Sequence, residues 1–197
     1  MTSGAIGYTS LASGNALFLR ALPIPLASDL EFAAREANLE YVPEPLGEVF
    51  GIDKRAKALG LESAVAVGLI LFVSSWLAKK ILDEVYDIKL KPIIRRAIQR
   101  ADDIVIFGDK KHSLIFLVGI YHQDKETLVL VALKAKDKAE LLKDLEMINN
   151  VHAAARQMVE KSECLAPLHL YVVENGKVNV EPIHLTNMQE AYERIGT

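Results

Sequence analysis

A chain of 197 residues is long enough for one domain, or for one domain with an appendage. Its 51% hydrophobic and 25% charged residues are typical of a globular protein and exclude a disordered one. A net charge of -3 argues against general nucleic-acid binding, and a single cysteine, Cys164, excludes an intrachain disulfide and is typical of a reducing compartment. We therefore expect a cytoplasmic protein that recognises no specific nucleic acid.

Residues 1–60 predict a helical and extended N-terminal arm. The sequence Ser-Asp-Leu-Glu at 28–31 is a capping box, so we expect a helix from Asp29 to about Leu39. Pro23 and Pro25 predict an extended segment before that helix. Nothing in the arm indicates a particular chemistry.

The longest apolar run, Ser63 to Ala78, has sixteen residues without a charge. As a helix it reaches roughly 24 Å, which is short of the ~30 Å hydrocarbon core of a bilayer. We therefore predict a buried hydrophobic helix at 61–90, at the start of a single α/β domain that covers 61–197. The alternative is a membrane anchor in this run, because Trp76 followed by two lysines is typical of an interfacial anchor. In that case we expect association with the inner membrane.

Short apolar segments between turn signals predict strands in the second half of the chain. Two of them lack alternation, which indicates strands buried on both faces, and Asn175-Gly176 is a strong hairpin signal. The fold class that follows is α+β: a mixed five-stranded sheet in the order βββαββ, covered by helices, with the helical N-terminal arm. The predicted strands are Ile104–Phe107, Leu114–Tyr121, Thr127–Leu133, Leu168–Glu174 and Lys177–His184, with a long helix at Lys136–Glu163.

The order of elements from residue 80 to 174 resembles the core of the PD-(D/E)xK nuclease-like superfamily. The strand Thr127–Lys134, which runs into a charged helix, resembles the third strand of that core. The resemblance implies metal-dependent cleavage of nucleic acid, with Lys134 as the strand lysine and Glu84 as the helix glutamate. The chain departs from the family where an acid is needed two residues before the lysine, because that position holds Ala132. The preceding predicted strand contains no acid either. These departures imply that such a fold would have lost catalysis.

Two histidines on the predicted hairpin are the candidate metal ligands. If Asn175 and Gly176 are the two loop residues, His169 pairs with Pro182, and His184 becomes its diagonal neighbour on the same face. That spacing is within reach of a shared ion. The sequence indicates no third ligand, so we predict no metal site and no cofactor.

The remaining motifs favour a binding role by elimination. No phosphate-binding loop, dinucleotide fingerprint, nucleophile elbow or metalloprotease motif occurs in the sequence. We expect a non-catalytic binding or interaction protein of the immunity-protein, antitoxin or adaptor type, which occludes or recruits a protein partner. The alternatives are a divergent metal-dependent nuclease, and an accessory protein anchored in the membrane through 63–78.

Overall fold

The computed structural model describes residues 4–12, 23–36, 38–43, 64–73, 81–100, 113–161, 166–187, 190–191 and 194–195. The strands in this part of the chain are β1 (Gly4–Ala12), β2 (Glu40–Pro43), β3 (Ala64–Val73), β4 (Ser113–His122), β5 (Thr127–Ala135), β6 (Leu168–Glu174), β7 (Lys177–Val178) and β8 (Ile183–Leu185). The helices are α1 (Pro23–Glu36), a π-helix (Ile81–Leu90), α2 (Lys91–Arg100), α3 (Lys138–Asp144), a 3-10 turn (Leu145–Met147) and α4 (Ile148–Lys161).

A single mixed sheet organises these elements and confirms the α+β class. Its strand order is β2-β1-β3-β4-β5-β6-β7, and β8 also pairs with β6. The pairs β1–β2, β3–β4 and β5–β6 are parallel, whereas β1–β3, β4–β5, β6–β7 and β6–β8 are antiparallel. Four of the five predicted strands are present as β4, β5, β6 and the pair β7 and β8, into which the last predicted strand is divided. Among the described residues, β1 to β3 extend the sheet to eight strands.

The apolar run at 63–78 is not the predicted buried helix. Its described part, Ala64–Val73, is the strand β3, which lies between β1 and β4. It pairs with β4 along its whole length and with β1 from Val65 to Val73. Continuous apolar runs fit a doubly paired strand as well as a buried helix, and the branched residues Val65, Val67 and Ile70 favour the strand. Within the described part of the chain, no helix is long and apolar enough to cross a membrane.

The arm at 1–60 contains the predicted helix and also two strands of the sheet. Helix α1 begins at Pro23, earlier than the capping box predicts, because the first turn of a helix needs no intrahelical N–H donors and tolerates proline. It ends where Asn38 takes a left-handed backbone conformation and the Leu39 amide donates to the Ala34 carbonyl at 2.9 Å. The strands β1 and β2 were not predicted. The predicted strand Ile104–Phe107 lies outside the described residues.

One face of the sheet carries the main hydrophobic core. Alternate residues of β4, β5 and β6 point to this face, including Val118, Val131 and Tyr171. The covering side chains come from α1, the π-helix, α2, α3 and α4. The π-helix and α2 form a first helical segment, residues 81–100, and α3 to α4 form a second, residues 138–161. Both segments and α1 pack on the same side of the sheet. The core side chains of these helices are Ala33, Ala34, Val85, Tyr86, Leu90, Ile94, Ile98, Leu141, Ile148, Val151, Ala155 and Val159. We call this side of the sheet the helix-covered face.

Helical structure in the second half follows the sequence closely. Asp137 caps α3, its carboxylate accepting the Glu140 amide at 2.8 Å. The predicted long helix is present as α3 and α4, joined through the 3-10 turn. Near the C-terminus, the Asn187 side chain accepts the Glu190 amide at 3.0 Å, as expected for a helix cap.

Candidate functional site

The structure does not bring the two candidate nuclease residues together. On β5, Leu133 and Ala135 belong to the core on the helix-covered face, so the side chain of Lys134 between them points to the other face. Glu84 is exposed on the π-helix, whose Val85 packs into the core on the helix-covered face. The sheet therefore separates Glu84 from Lys134.

Among the described residues, the surroundings of Lys134 also lack the geometry of a carboxylate metal site. Ala132, which shares its strand face, is fully buried. The residue paired with Lys134 on β4 is Ile115, and the residue paired with it on β6 is Glu174. One carboxylate on a neighbouring strand is an ordinary cross-strand partner for a lysine.

The two candidate metal ligands, in contrast, lie in contact. His169 on β6 and His184 on β8 are direct cross-strand partners, and their ring centroids are 4.6 Å apart at an interplanar angle of 38°. His169 is 2% exposed, whereas His184 is exposed. Burial, and then the charges of His184 and His122, lower the pKa of His169 to about 4, so its imidazole is neutral at neutral pH.

This direct pairing corrects the predicted diagonal arrangement. The hairpin begins as predicted, with Glu174 paired to Lys177 and positive φ at Asn175 (55°) and Gly176 (70°), which is a type I′ turn. Two residues further along, the strand is interrupted at 179–182 and resumes with its register shifted by two. A shift of two preserves the face of each side chain, so His184 replaces Pro182 opposite His169.

Two further histidines lie on the helix-covered face and were not predicted as part of a cluster. His122 is buried at the end of β4, and burial lowers its pKa. His152 on α4 is buried, and its Nε2 lies 3.2 Å from the Val118 carbonyl oxygen. Because a carbonyl only accepts, Nε2 carries the proton. The Val118 carbonyl therefore satisfies one nitrogen of the buried His152 imidazole.

A network of charged side chains joins the first helical segment to the second. The Lys91 ammonium lies 2.8 Å from Asp87 Oδ1 and 3.0 Å from Glu146 Oε2, and Arg95 donates to Glu146 Oε1 at 3.0 Å. Asn149 donates from its side chain to Asp87 Oδ2. Burial lowers the pKa of Lys91, but its bonds to Asp87 and Glu146 more than offset this, so the net pKa is raised. The network fastens α2 and the π-helix to the 3-10 turn and α4.

Tyr86 lies beside this network in the core. Its side chain is fully buried, and its hydroxyl has no hydrogen-bond partner among the described residues. Burial, together with the negative charges of Asp87 and Glu146, raises the pKa of Tyr86 far above its usual range. The hydroxyl is therefore neutral and does not act as a base.

Large apolar side chains are exposed on the outer side of α1 and the π-helix. Phe32 is 63% exposed and Ile88 is 69% exposed. The ion pair Glu36–Lys89, at 3.7 Å, connects the two helices, with Phe32 one helical turn before Glu36 and Ile88 next to Lys89. We call the surface formed by Phe32, Ile88 and the side chains around them the α1–π surface.

Carboxylates outnumber cations among the described residues of α1 and the π-helix. The exposed or half-buried charged residues of these two helices are Asp29, Glu31, Glu36, Asp83, Glu84 and Asp87 against Arg35 and Lys89. Arg35 is paired with Glu31 at 2.6 Å, and Lys89 is paired with Glu36. Both cations are thus paired with carboxylates of α1, and the described residues of the two helices carry an excess of negative charge.

The chain matches no protein-family profile, no curated protein and no solved structure.

Proposed function

We propose that the protein is a non-catalytic interaction protein that binds a partner protein through the α1–π surface. The observation that carries the proposal is the exposure of Phe32 and Ile88 on two adjoining helices. Complete burial of a phenylalanine or isoleucine side chain contributes roughly 1.5–3 kcal/mol, of which most is unused at these exposed positions. Aromatic residues such as phenylalanine are also enriched in the cores of interfaces.

The charge of the surface indicates the chemistry of the partner. Exposed carboxylates are in excess on the two helices that carry Phe32 and Ile88, so the complementary surface presents an apolar segment flanked by lysine or arginine. Such complementarity raises the association rate and rejects acidic partners. This arrangement suits an occluding or recruiting protein of the immunity-protein, antitoxin or adaptor type.

The side chains of the sheet also support a non-catalytic role. The described side chains of β4 and β5 are mostly apolar and buried, and Lys134 and Glu84 lie on opposite sides of the sheet. The imidazole of His152, in the described core, is hydrogen-bonded to the backbone carbonyl of Val118, which is a structural rather than a catalytic role. The exposed helices, rather than the sheet, offer the surface for recognition.

The test compares two variants of the immobilised full chain in lysate of the cell that produces it. The double variant Phe32→Ser/Ile88→Ser removes both anchors. Val180→Ser is the matched control, because Val180 is 94% exposed but lies on the hairpin, away from α1. A protein retained by the wild type and by Val180→Ser, and lost from the double variant, is then purified, and its affinity is measured against salt.

We expect the double variant to bind the retained protein at least tenfold more weakly than the wild type does. We also expect the affinity of the wild type for that protein to fall as the salt concentration increases. Equal retention by all three proteins contradicts it. Sedimentation of the purified chain alone tests a second copy as the occupant: a dimer abolished by the double variant would replace the partner protein with self-association.

A further inference from the structure

The imidazole of His169 is buried without hydrogen bonds to its two ring nitrogens from the described residues. Both of its ring nitrogens lack a hydrogen-bond partner among the described residues, although the side chain is almost completely buried. A buried polar group without a partner costs about 1–3 kcal/mol, so most are satisfied by protein, water or an ion. His152, buried on the same face, has its Nε2 bonded to the Val118 carbonyl.

The residue next to His169 on the neighbouring strand indicates which kind of ligand could bind its ring nitrogens. His184 lies directly across from it, with ring centroids 4.6 Å apart. Metal ions of the zinc class bind imidazole nitrogen at about 2.0–2.1 Å, so one ion can contact a nitrogen of each ring at this separation. Because His184 is exposed, an ion at this place keeps access to solvent and to further ligands.

We propose that His169 and His184 form a two-histidine site for a divalent transition-metal ion at the β6–β8 edge of the sheet. Imidazole nitrogen selects Zn²⁺, Co²⁺, Ni²⁺ and Cu²⁺, and excludes Mg²⁺ and Ca²⁺, which require oxygen ligands. Within the described part of the chain, no group of three or more His, Cys, Asp or Glu side chains could hold a metal. The described residues therefore supply two ligands, and the remaining coordination positions are open to water or another ligand.

Both ligands belong to hydrogen-bonded strands, which makes the pair rigid. The antiparallel pairing of β6 with β8 extends to Leu168–Leu185 and Leu170–Ile183 on either side of the histidines. An ion held by both rings would clip β8 onto β6 and stabilise the folded state by an amount set by its concentration relative to its dissociation constant. The site is independent of the α1–π surface, since it lies on a different element of the fold.

The test is thermal unfolding of the full chain with each metal alone. We expect NiCl2, CuCl2 and ZnCl2 to raise the Tm and MgCl2 to leave it unchanged, with affinities in the order Cu²⁺ above Ni²⁺. His184→Ala removes an exposed ligand and should weaken Ni²⁺ binding at least tenfold. Glu181→Gln, which alters an exposed carboxylate near the same edge, is the matched control and should bind as the wild type does.

A second readout identifies the ligands directly. His184→Cys replaces one nitrogen ligand with a thiolate. We expect this variant to bind Co²⁺, unlike His184→Ala, and to show a sulfur-to-cobalt charge-transfer band that the wild type lacks. Unchanged Ni²⁺ affinity in His184→Ala, absence of a Tm shift in the wild type, or a cobalt complex of His184→Cys without that band each overturns the proposal.

Discussion

The side-chain oxygen of Asn179 accepts the backbone amide of Val172 at 2.6 Å, in the place where a neighbouring strand would otherwise supply a carbonyl. The same side chain donates to the Leu170 carbonyl at 3.4 Å and to the Glu181 carbonyl. Asn179 thus bridges the interruption between β7 and β8. This interruption shifts the register and brings His184 opposite His169.

Substitution Asn179→Ala should destabilise the fold. It leaves the half-buried Val172 amide without its acceptor, for which we expect a loss of about 1–3 kcal/mol in the free energy of unfolding, measured by urea denaturation. Asn150→Ala, at an exposed position of α4, is the control and should change the free energy by less than about 0.5 kcal/mol. Equal stability of the two variants would show that water replaces the Asn179 side chain.

The hairpin turn should not tolerate a branched residue at its second position. Gly176 has a φ of 70°, and a Cβ there would meet Lys143 Nζ at 3.5 Å, an ordinary contact. The cost of Gly176→Val is therefore backbone strain of about 1–3 kcal/mol, visible as a lower Tm. Asn175→Gly keeps positive φ accessible at the other loop position and should melt close to the wild type. An unchanged Tm for Gly176→Val would contradict the type I′ turn.

Stability should decrease in acid because His152 is buried in its neutral form. Burial, partly offset by the bond to the Val118 carbonyl, lowers the pKa of His152 to about 3, whereas the unfolded chain binds this proton near pH 6.5. Its contribution is fully present above pH 6.5 and is lost as the pH falls toward 3. Between pH 7 and pH 5 this amounts to about 2 kcal/mol.

The measurement for His152 is the free energy of unfolding at several pH values, with His152→Gln as the comparison. Glutamine keeps an N–H donor for the Val118 carbonyl but does not titrate. The wild type should lose more stability than His152→Gln between pH 7 and pH 5. Parallel pH profiles would mean that His152 titrates normally in the folded protein.

The ion-pair network between the two helical segments should contribute little to stability. A double-mutant cycle with Lys91→Met and Glu146→Gln should give a coupling energy of about 0.2–1 kcal/mol that falls as NaCl is added, because Glu146 is half exposed. Arg95→Met with Glu146→Gln gives a second cycle at a more exposed pair. A coupling of Lys91 with Glu146 that salt does not change would indicate that the pair is shielded from solvent.

Metal-dependent nuclease activity is expected to be absent. The wild type, Lys134→Ala and Glu84→Gln are incubated with labelled DNA and RNA in Mg²⁺ or Mn²⁺. We expect no cleavage, because Ala132 stands where the family needs a carboxylate and Glu84 lies across the sheet from Lys134. Cleavage that disappears in Lys134→Ala would restore the nuclease reading, whereas cleavage unaffected by it would indicate contamination or another site.

Local signals in the sequence were sufficient where one segment determines its own structure. Turn chemistry accounts for the hairpin at Asn175-Gly176, and apolar runs account for the strands Ser113–His122 and Thr127–Ala135. The α+β class followed from these elements together.

Only the tertiary structure decided the features that depend on distant partners. Ala64–Val73 has the apolar character of either a helix or a strand, and its pairing with β1 and β4 makes it a strand. Lys134 and Glu84 are separated because strand alternation sends neighbouring side chains to opposite faces of the sheet. The contact of His169 with His184 depends on a register that Asn179 sets from outside the paired residues. Composition and spacing specify the preferences of each segment, but the free energy of strand pairing and burial depends on which segments meet, and that is a property of the folded chain.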